Sequence, residues 1–267
     1  MNTMARAAAN TVMGLPPELP FDVRLMNGVA SGVYLLAAAA LLAAGVLWLT
    51  RAPLFTIRSI HVDGDLNRNS VSTIRANAMP QLKGNFFSLS LQKGRAAFEA
   101  VPWVRQAVVR RVWPNQLAVR LEEHHAAAIW QGEEGNDRLV NSFGEVFDAN
   151  VGDVEDDGLP SFAGPDGNAA EMLAMYRKLQ PLLQGLEQGI ATLHLSGRGS
   201  WRVELDSGAE IELGRGTEAE VLARCERFTR TLAQVTAKYR QPLEYADLRH
   251  ADGYAVRLRG VTTKTLN

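Results

Sequence analysis

VPWVRQAVVRRVWPNQLAVRLEE, residues Val101–Glu123, reads as two strands joined by a tight turn. Pro102 ends whatever helix precedes it, because it lacks the N–H that a continuing helix needs. Trp103 to Val112 is rich in β-branched residues, and Trp113-Pro114-Asn115-Gln116 carries the turn. Beyond it, Leu117, Val119 and Leu121 alternate with Ala118, Arg120 and Glu122, the period of a half-buried strand.

Upstream, Leu91, Gly94, Phe98 and Val101 recur at helical spacing, with Ser88 as a candidate N-cap. Asn69 or Ser70 can open an earlier helix running to Met79, where Pro80 follows. Leu54 to Val62 is β-rich and meets a turn at Asp63-Gly64-Asp65. The order over residues 54–123 is β-α-α-β-β.

Downstream, residues 124–260 form a second unit. His124–Trp130 continues as a strand or connector. Arg138-Leu139-Val140 and Glu145-Val146-Phe147 flank a hairpin turn, and Asn150 to Gly158 is an acidic, solvated loop. Met172, Tyr176, Leu179, Leu183 and Leu186 make one helical stripe, in which Pro181 predicts a kink or break. Strands follow near 191–195, 201–205 and 210–213. Thr217-Glu218-Ala219-Glu220 is a capping-box pattern, opening a helix whose stripe is Val221, Cys225, Phe228, Leu232, Val235 and Tyr239. Leu243 to Arg249 and Tyr254 to Leu258 form a last hairpin, and 261–267 is a frayed end.

Residues 25–50, LMNGVASGVYLLAAAALLAAGVLWLT, contain no charge. Some twenty apolar residues at ~1.5 Å each cross a ~30 Å hydrocarbon core. The run is long for a signal peptide and starts late, and the alanines near Ala37–Ala44 are weak cleavage sites. It therefore reads as an uncleaved single-pass anchor, with 1–24 as a short disordered tail. The charge bias across the span is slight, and the long portion after it favours an N-inside, C-outside arrangement.

The chain has 267 residues and a formal net charge of −1, which disfavours general nucleic-acid binding. Its one cysteine, Cys225, can make no intrachain disulfide, and on an apolar helical stripe it reads as core. Glu122-Glu123-His124-His125 alternate across a strand and cannot close on one metal ion. Gly214-Arg215-Gly216-Thr217 before a helix lacks the P-loop lysine. Asp153–Asp157 lacks the ligand spacing of a calcium loop, and Ser142 and Ser200 sit in no nucleophile motif. The sequence points to no cofactor, metal or small-molecule substrate, and to a protein that is not an enzyme. The last hairpin is different, since an edge strand offers unpaired N–H and C=O groups to a partner. There Tyr254, Val256 and Leu258 face one way, and Ala255, Arg257 and Arg259 the other.

The β-α-α-β-β order is that of a POTRA module, and Val101–Glu123 resembles its second half in the FtsQ/DivIB cell-division family. Phe55–Gly64 (FTIRSIHVDG) resembles its first strand, and Leu213-Gly-Arg-Gly and Tyr245-Ala-Asp-Leu-Arg-His resemble the family's second domain. The resemblance implies an α+β chain: one transmembrane helix, a POTRA domain, and a second α+β domain with a largely antiparallel sheet and two long helices. It also implies a divisome scaffold, in the inner membrane with its C-terminal portion periplasmic and concentrated at the septum. Its implied partners are the FtsB–FtsL pair, bound at the last strands, with FtsK, FtsW, FtsI and FtsN as further division proteins. Carried over by position, the FtsB-binding residues would be Tyr245, Asp247, Leu248, Arg249, His250, Gly253 and Val256. A recruitment surface on the POTRA module would be Gln106, Val109 and Arg111. This sequence departs from the familiar pattern at His250, Arg257 and Leu258. Two alternatives stay open from the residues: a POTRA-containing secretion or assembly factor, and an anchored periplasmic wall enzyme.

Overall fold

The computed structural model describes residues 20–51, 55–64, 66–68, 70–82, 84–132, 135–184, 188–239, 241–250 and 253–260. Most of the tail, Leu54, Asn69, Leu186, Ala251, Asp252 and the 261–267 end therefore lie outside the described residues. So do the side chains of Val235 and Tyr239.

Helix α1, Phe21–Arg51, is one uninterrupted span, starting four residues before the uncharged run. It is long and apolar enough to cross a membrane, and no part of its most apolar stretch is buried by the rest of the chain. Leu35, Leu36, Leu41 and Leu42 are all exposed. With no polar face and no protein cover, lipid is the solvent that suits it.

Next come β1 (Ser59–Gly64), α2 (Val71–Ala78), α3 (Leu91–Glu99), β2 (Val104–Val112) and β3 (Gln116–Glu123). The expected order is present. The first strand is shorter than the β-rich run, beginning at Ser59. Ser70 caps α2 by accepting from Thr73 N at 3.1 Å. The cap of α3 is Ser90, not Ser88; Ser88 is engaged instead in an Asn85-centred turn. The sheet runs β1-β3-β2, with β1 parallel and β2 antiparallel to the central β3. Both helices cover one face, where Ile74, Ala78, Phe98, Val101, Ala107, Val119 and Leu121 form the core.

The second sheet has nine strands. It takes in β4 (Ala126–Trp130), β5 (Arg138–Asn141), β6 (Val146–Phe147), β7 (Ser161–Ala163), β8 (Ile190–Leu195), β9 (Trp201–Leu205), β10 (Glu210–Gly214), β11 (Leu243–Asp247) and β12 (Ala255–Leu258). Their spatial order is β12-β11-β10-β9-β8-β7-β4-β5-β6. Antiparallel pairs predominate, but β10–β11, β7–β8 and β4–β7 are parallel. Each parallel pair needs a crossover, and two of these crossovers are the long helices α4 (Ala169–Gln184) and α5 (Glu218–Tyr239).

Met172, Leu179 and Leu183 of α4 and Val221, Cys225, Phe228 and Leu232 of α5 are buried in one core with the sheet. Pro181 does not break α4. It sits in the final turn, and the helix ends three residues later. The capping box of α5 is formed: Thr217 N donates to Glu220 Oε2 at 2.7 Å, and Glu220 N donates to Thr217 Oγ1 at 3.4 Å. The acidic stretch is not an open loop. Val151–Asp157 is a 3₁₀ helix capped by Asn150 and ended by Gly158 in a left-handed conformation.

The two sheets meet through a built junction. A bulge between Val104 and Gln106 leaves Arg105 unpaired in the β2–β3 ladder. Such a residue is re-aimed out of the sheet. Arg105 Nη1 bonds Glu122 at 2.7 Å and Arg105 Nε bonds Glu145 at 2.8 Å, on the β5–β6 turn. Trp103, Leu139, Phe147 and Val154 make a small buried cluster beneath. Trp103 holds φ 71°, a left-handed conformation rare for an aromatic residue. It turns the chain out of α3 so that the indole meets Phe147 edge-on at 5.3 Å. Its Nε1 donates to Asp153 at 3.2 Å, and Arg68 lies over the ring while pairing with Asp157 at 2.5 Å.

Candidate functional site

The last strand, β12, is the terminal strand of the nine-stranded sheet, so one of its edges has no neighbour among the described residues. Its pairing with β11 sets Leu243 against Leu258, Tyr245 against Arg257, Ala246 against Val256 and Asp247 against Ala255. Side chains alternate as the period of two requires. Leu258 is buried, and Val256 and Tyr254 pack against the core, Tyr254 meeting the Phe228 ring edge-on at 5.1 Å. Ala255 and Arg257 face outward. Arg257 Nε reaches Glu244 at 3.1 Å and its guanidinium lies over Tyr245. The exposed edge therefore carries a fixed cationic and aromatic patch.

Beside it, Arg249 is held rather than free. Its Nε and Nη2 donate to Asp247 Oδ1 and Oδ2 at 2.8 and 2.5 Å. The fork holds the Asp247 carboxyl down to about 2. Burial of the Asp247 carboxyl opposes this, and the hydrogen bonds from Arg249 outweigh it. Arg249 also explains the Leu213-Gly-Arg-Gly segment. Gly214, at φ +79°, lies under the Arg249 stem, and a Cβ there would come within 2.8 Å of Arg249 Cγ. The parallel β10–β11 register and the Leu248 N to Glu212 O bond bring the two segments together.

The seven positions carried over to this hairpin do not all face outward. Tyr245, Asp247, Arg249 and His250 lie on the accessible side or rim. Leu248 is buried at 2 % exposure, and half-buried Val256 packs against the core. Gly253 is half-buried in the turn that joins β11 to β12. Arg257, Glu244 and Ala255 are outward neighbours that position-by-position reading leaves out. For Ala255 and Arg257 the sequence signal is the alternation along 254–258.

The three POTRA positions are split between faces. Gln106 is exposed on the open face of β2 with Val108 and Arg110. Val109 packs toward the helical core. Arg111 donates to the Leu89 carbonyl at 2.6 Å. β2 is nevertheless an edge strand of its sheet, with no strand beyond it among the described residues, although Ala107 N on it donates to Glu99 Oε1 at 3.0 Å.

Elsewhere the chemistry is quiet. Cys225 is fully buried, and burial pushes its thiol up to about 12. Among the described residues, no group of three or more His, Cys, Asp or Glu side chains is placed to hold a metal ion.

Comparison with known proteins places these features. Residues 55–124 match the FtsQ-type POTRA domain, and residues 128–249 match the C-terminal domain of cell division protein FtsQ/DivIB. The second match ends just before β12. The chain is 41% identical over 253 residues to the cell division protein FtsQ of Thiomonas arsenitoxydans, covering 94% of this chain and 93% of that protein. It is 42% identical over 241 residues to FtsQ of Burkholderia pseudomallei (90% and 94% covered). It is 35% identical over 255 residues to FtsQ of Bordetella pertussis (89% and 92%). With both domains and most of its length accounted for, the chain belongs to the FtsQ/DivIB family of cell division proteins.

Proposed function

We propose that the chain is a non-enzymatic scaffold of the divisome, which holds the FtsB–FtsL pair by accepting a partner strand on β12. The observation that carries this reading is the position of β12, an edge strand whose core side is fixed by Val256 and Leu258 and whose outer side presents Arg257 beside Tyr245. Main-chain bonds along the edge supply affinity, and the alternating outer side chains supply specificity. Tyr245, Asp247, Arg249 and His250 form the rim, where an acidic residue of FtsB would compete for Arg249. Leu248, Gly253 and Val256 fix the strand's shape. Gln106, with Arg111 and Val109 behind it, marks β2 as a second edge for recruitment, FtsK, FtsW, FtsI and FtsN being the division proteins in view.

In this reading α1 is the single inner-membrane span, with the N-terminus cytoplasmic and both sheets periplasmic at the septum. The scaffold then links early cytoplasmic division proteins to septal-wall synthesis.

The test is capture of the FtsB ectodomain by the full chain. Arg249→Glu sets a second carboxylate against Asp247, breaking the internal fork and reversing the rim charge. With circular dichroism unchanged, capture should be lost, and β12 amides in the parent protein should exchange more slowly when FtsB is added. Undiminished capture by Arg249→Glu, with no protection of β12, sinks the interface.

A further inference from the structure

Outside α1, six large apolar side chains among the described residues are exposed: Met79, Phe87, Val108, Val112, Trp113 and Phe143. Trp113 is the most open of them at 75 %. Three of the six, Phe87, Val112 and Trp113, gather at one end of the POTRA domain.

Hydrogen bonds fix that end to the chain leaving α1. Phe86 N donates to the Phe55 carbonyl at 2.8 Å, and Arg58 N donates to Asn115 O at 2.9 Å. The first bond brings the 85–88 turn to the segment after the anchor; the second brings the β2–β3 turn to it. Phe87 packs edge-on against both Phe55 and Phe86, at 4.9 and 5.3 Å. Asn85 Nδ2 donates to the carbonyl of Thr50, in the last turn of α1. Covalent reach says the same independently: Phe55 follows Arg51 by four residues, at most about 14 Å of chain.

Aromatic side chains left open to water are unfavourable, and a cluster of them on a soluble face needs an explanation. At the headgroup level of a bilayer the same rings are favoured, Trp above all, because an apolar body and a polar N–H suit a layer that is half wet. Trp48, 74 % exposed near the end of α1, lies at the same level of the chain. Arg58, exposed beside the turn, is placed for lipid phosphates.

We propose that this end of the POTRA domain, with Phe87 over Phe55 and Phe86 and with Trp113 on the β2–β3 turn, seats in the outer boundary layer of the membrane that α1 crosses. The domain is then pinned at a fixed height and orientation, and β2 and the distant β12 are presented from a defined platform. The inference rests on α1 being a membrane span.

The test uses the full chain in vesicles of phosphatidylethanolamine and phosphatidylglycerol that carry lipids brominated near the headgroup. Bromine quenches only tryptophans that touch lipid. Trp103, Trp130 and Trp201 are buried at 5, 2 and 3 % exposure and serve as silent background. In Trp48→Phe, quenching should persist through Trp113, and it should vanish in Trp48→Phe/Trp113→Phe. Trp113→Phe alone should remain quenched through Trp48, which reports the anchor. If Trp48→Phe alone abolishes quenching while Trp113→Phe remains quenched, the anchor stands and the seat is overturned, leaving the aromatic patch for a protein partner. If Trp113→Phe also escapes quenching, α1 is not in the bilayer and both readings fall.

Discussion

Gly214 and Arg249 show how one residue sets the chemistry of another far along the chain. Gly214 occupies φ +79°, where an L side chain is strained, and the Arg249 stem fills the space a Cβ would need. Gly214→Ala should cost about 1–2 kcal/mol from the left-handed conformation alone. The added methyl must also push Arg249 off Asp247. The expected result is a lower urea midpoint with an unchanged m-value, together with weakened FtsB capture. If stability falls as predicted but capture is untouched, the Arg249 fork is structural only. Arg105 is a second such residue. The bulge that frees it from the ladder lets one guanidinium bind Glu122 and Glu145 while lying 3.9 Å from the Phe143 ring centroid.

Among elements, the β5–β6 hairpin and the 3₁₀ helix after it matter more than their size implies. They are where the second sheet grips the first. Phe147 is sandwiched, with Trp103 edge-on and His124 stacked at 4.0 Å. Asn141 Oδ1 accepts from Phe143 N and Glu145 N, which orients its amide. Its Nδ2 therefore donates to Glu145 and to His124 Nδ1. Removing the indole with Trp103→Ala should cost about 3–5 kcal/mol, as large aromatic-to-alanine changes in a core do. Because the lost contacts join two sheets, the loss should appear as uncoupling. Thermal unfolding should split into two transitions, and proteolysis should begin near His124-His125. A single transition shifted as a whole would mean that the sheets unfold together without this contact.

For the whole molecule, the junction and the edge make stability depend on pH in two steps. Burial holds His124 and His194 below the ordinary histidine value of 6.5, aided for His194 chiefly by Arg202. The unfolded chain therefore takes up these protons first. Their contribution is full above 6.5 and is lost as pH falls through the lower folded values. Glu145, hydrogen-bonded to Arg105 and Asn141, is held down to about 2, as is Asp247 by Arg249. Their contributions are present above the ordinary values of 4.5 and 3.8, and fade as pH falls toward 2. Urea midpoints should drop modestly from pH 7 to 5 and again below 4.5. His124→Gln should shrink the upper step to the share that His194 keeps, and leave the lower one. A midpoint that does not change from pH 7 to 5 would contradict the buried-histidine assignment.

What the sequence determined by itself is local. The uncharged run of residues 25–50, the alternation at Leu117, Val119 and Leu121, the Thr217–Glu220 capping box and the α5 stripe each follow from neighbours within a few turns of chain. Each is present as expected, the stripe from Val221 to Leu232. The order of elements, and with it the family, was legible for the same reason. Ser90 rather than Ser88 caps α3 because Ser88 is taken up by the Asn85 turn, and the 3₁₀ helix where an open acidic loop was expected is held from outside the segment by Arg68 on Asp157. Site residues fared likewise. Val109 lies in β2 and Leu248 directly follows β11, but which way each side chain points depends on bulges and on which sheet face is covered. Tertiary structure alone made β12 an edge strand, placed Arg249 on Gly214, and brought Arg105 to Glu145. Strand neighbours and ion pairs tens of residues apart are chosen by packing of the whole core, and no local period in the sequence records that choice.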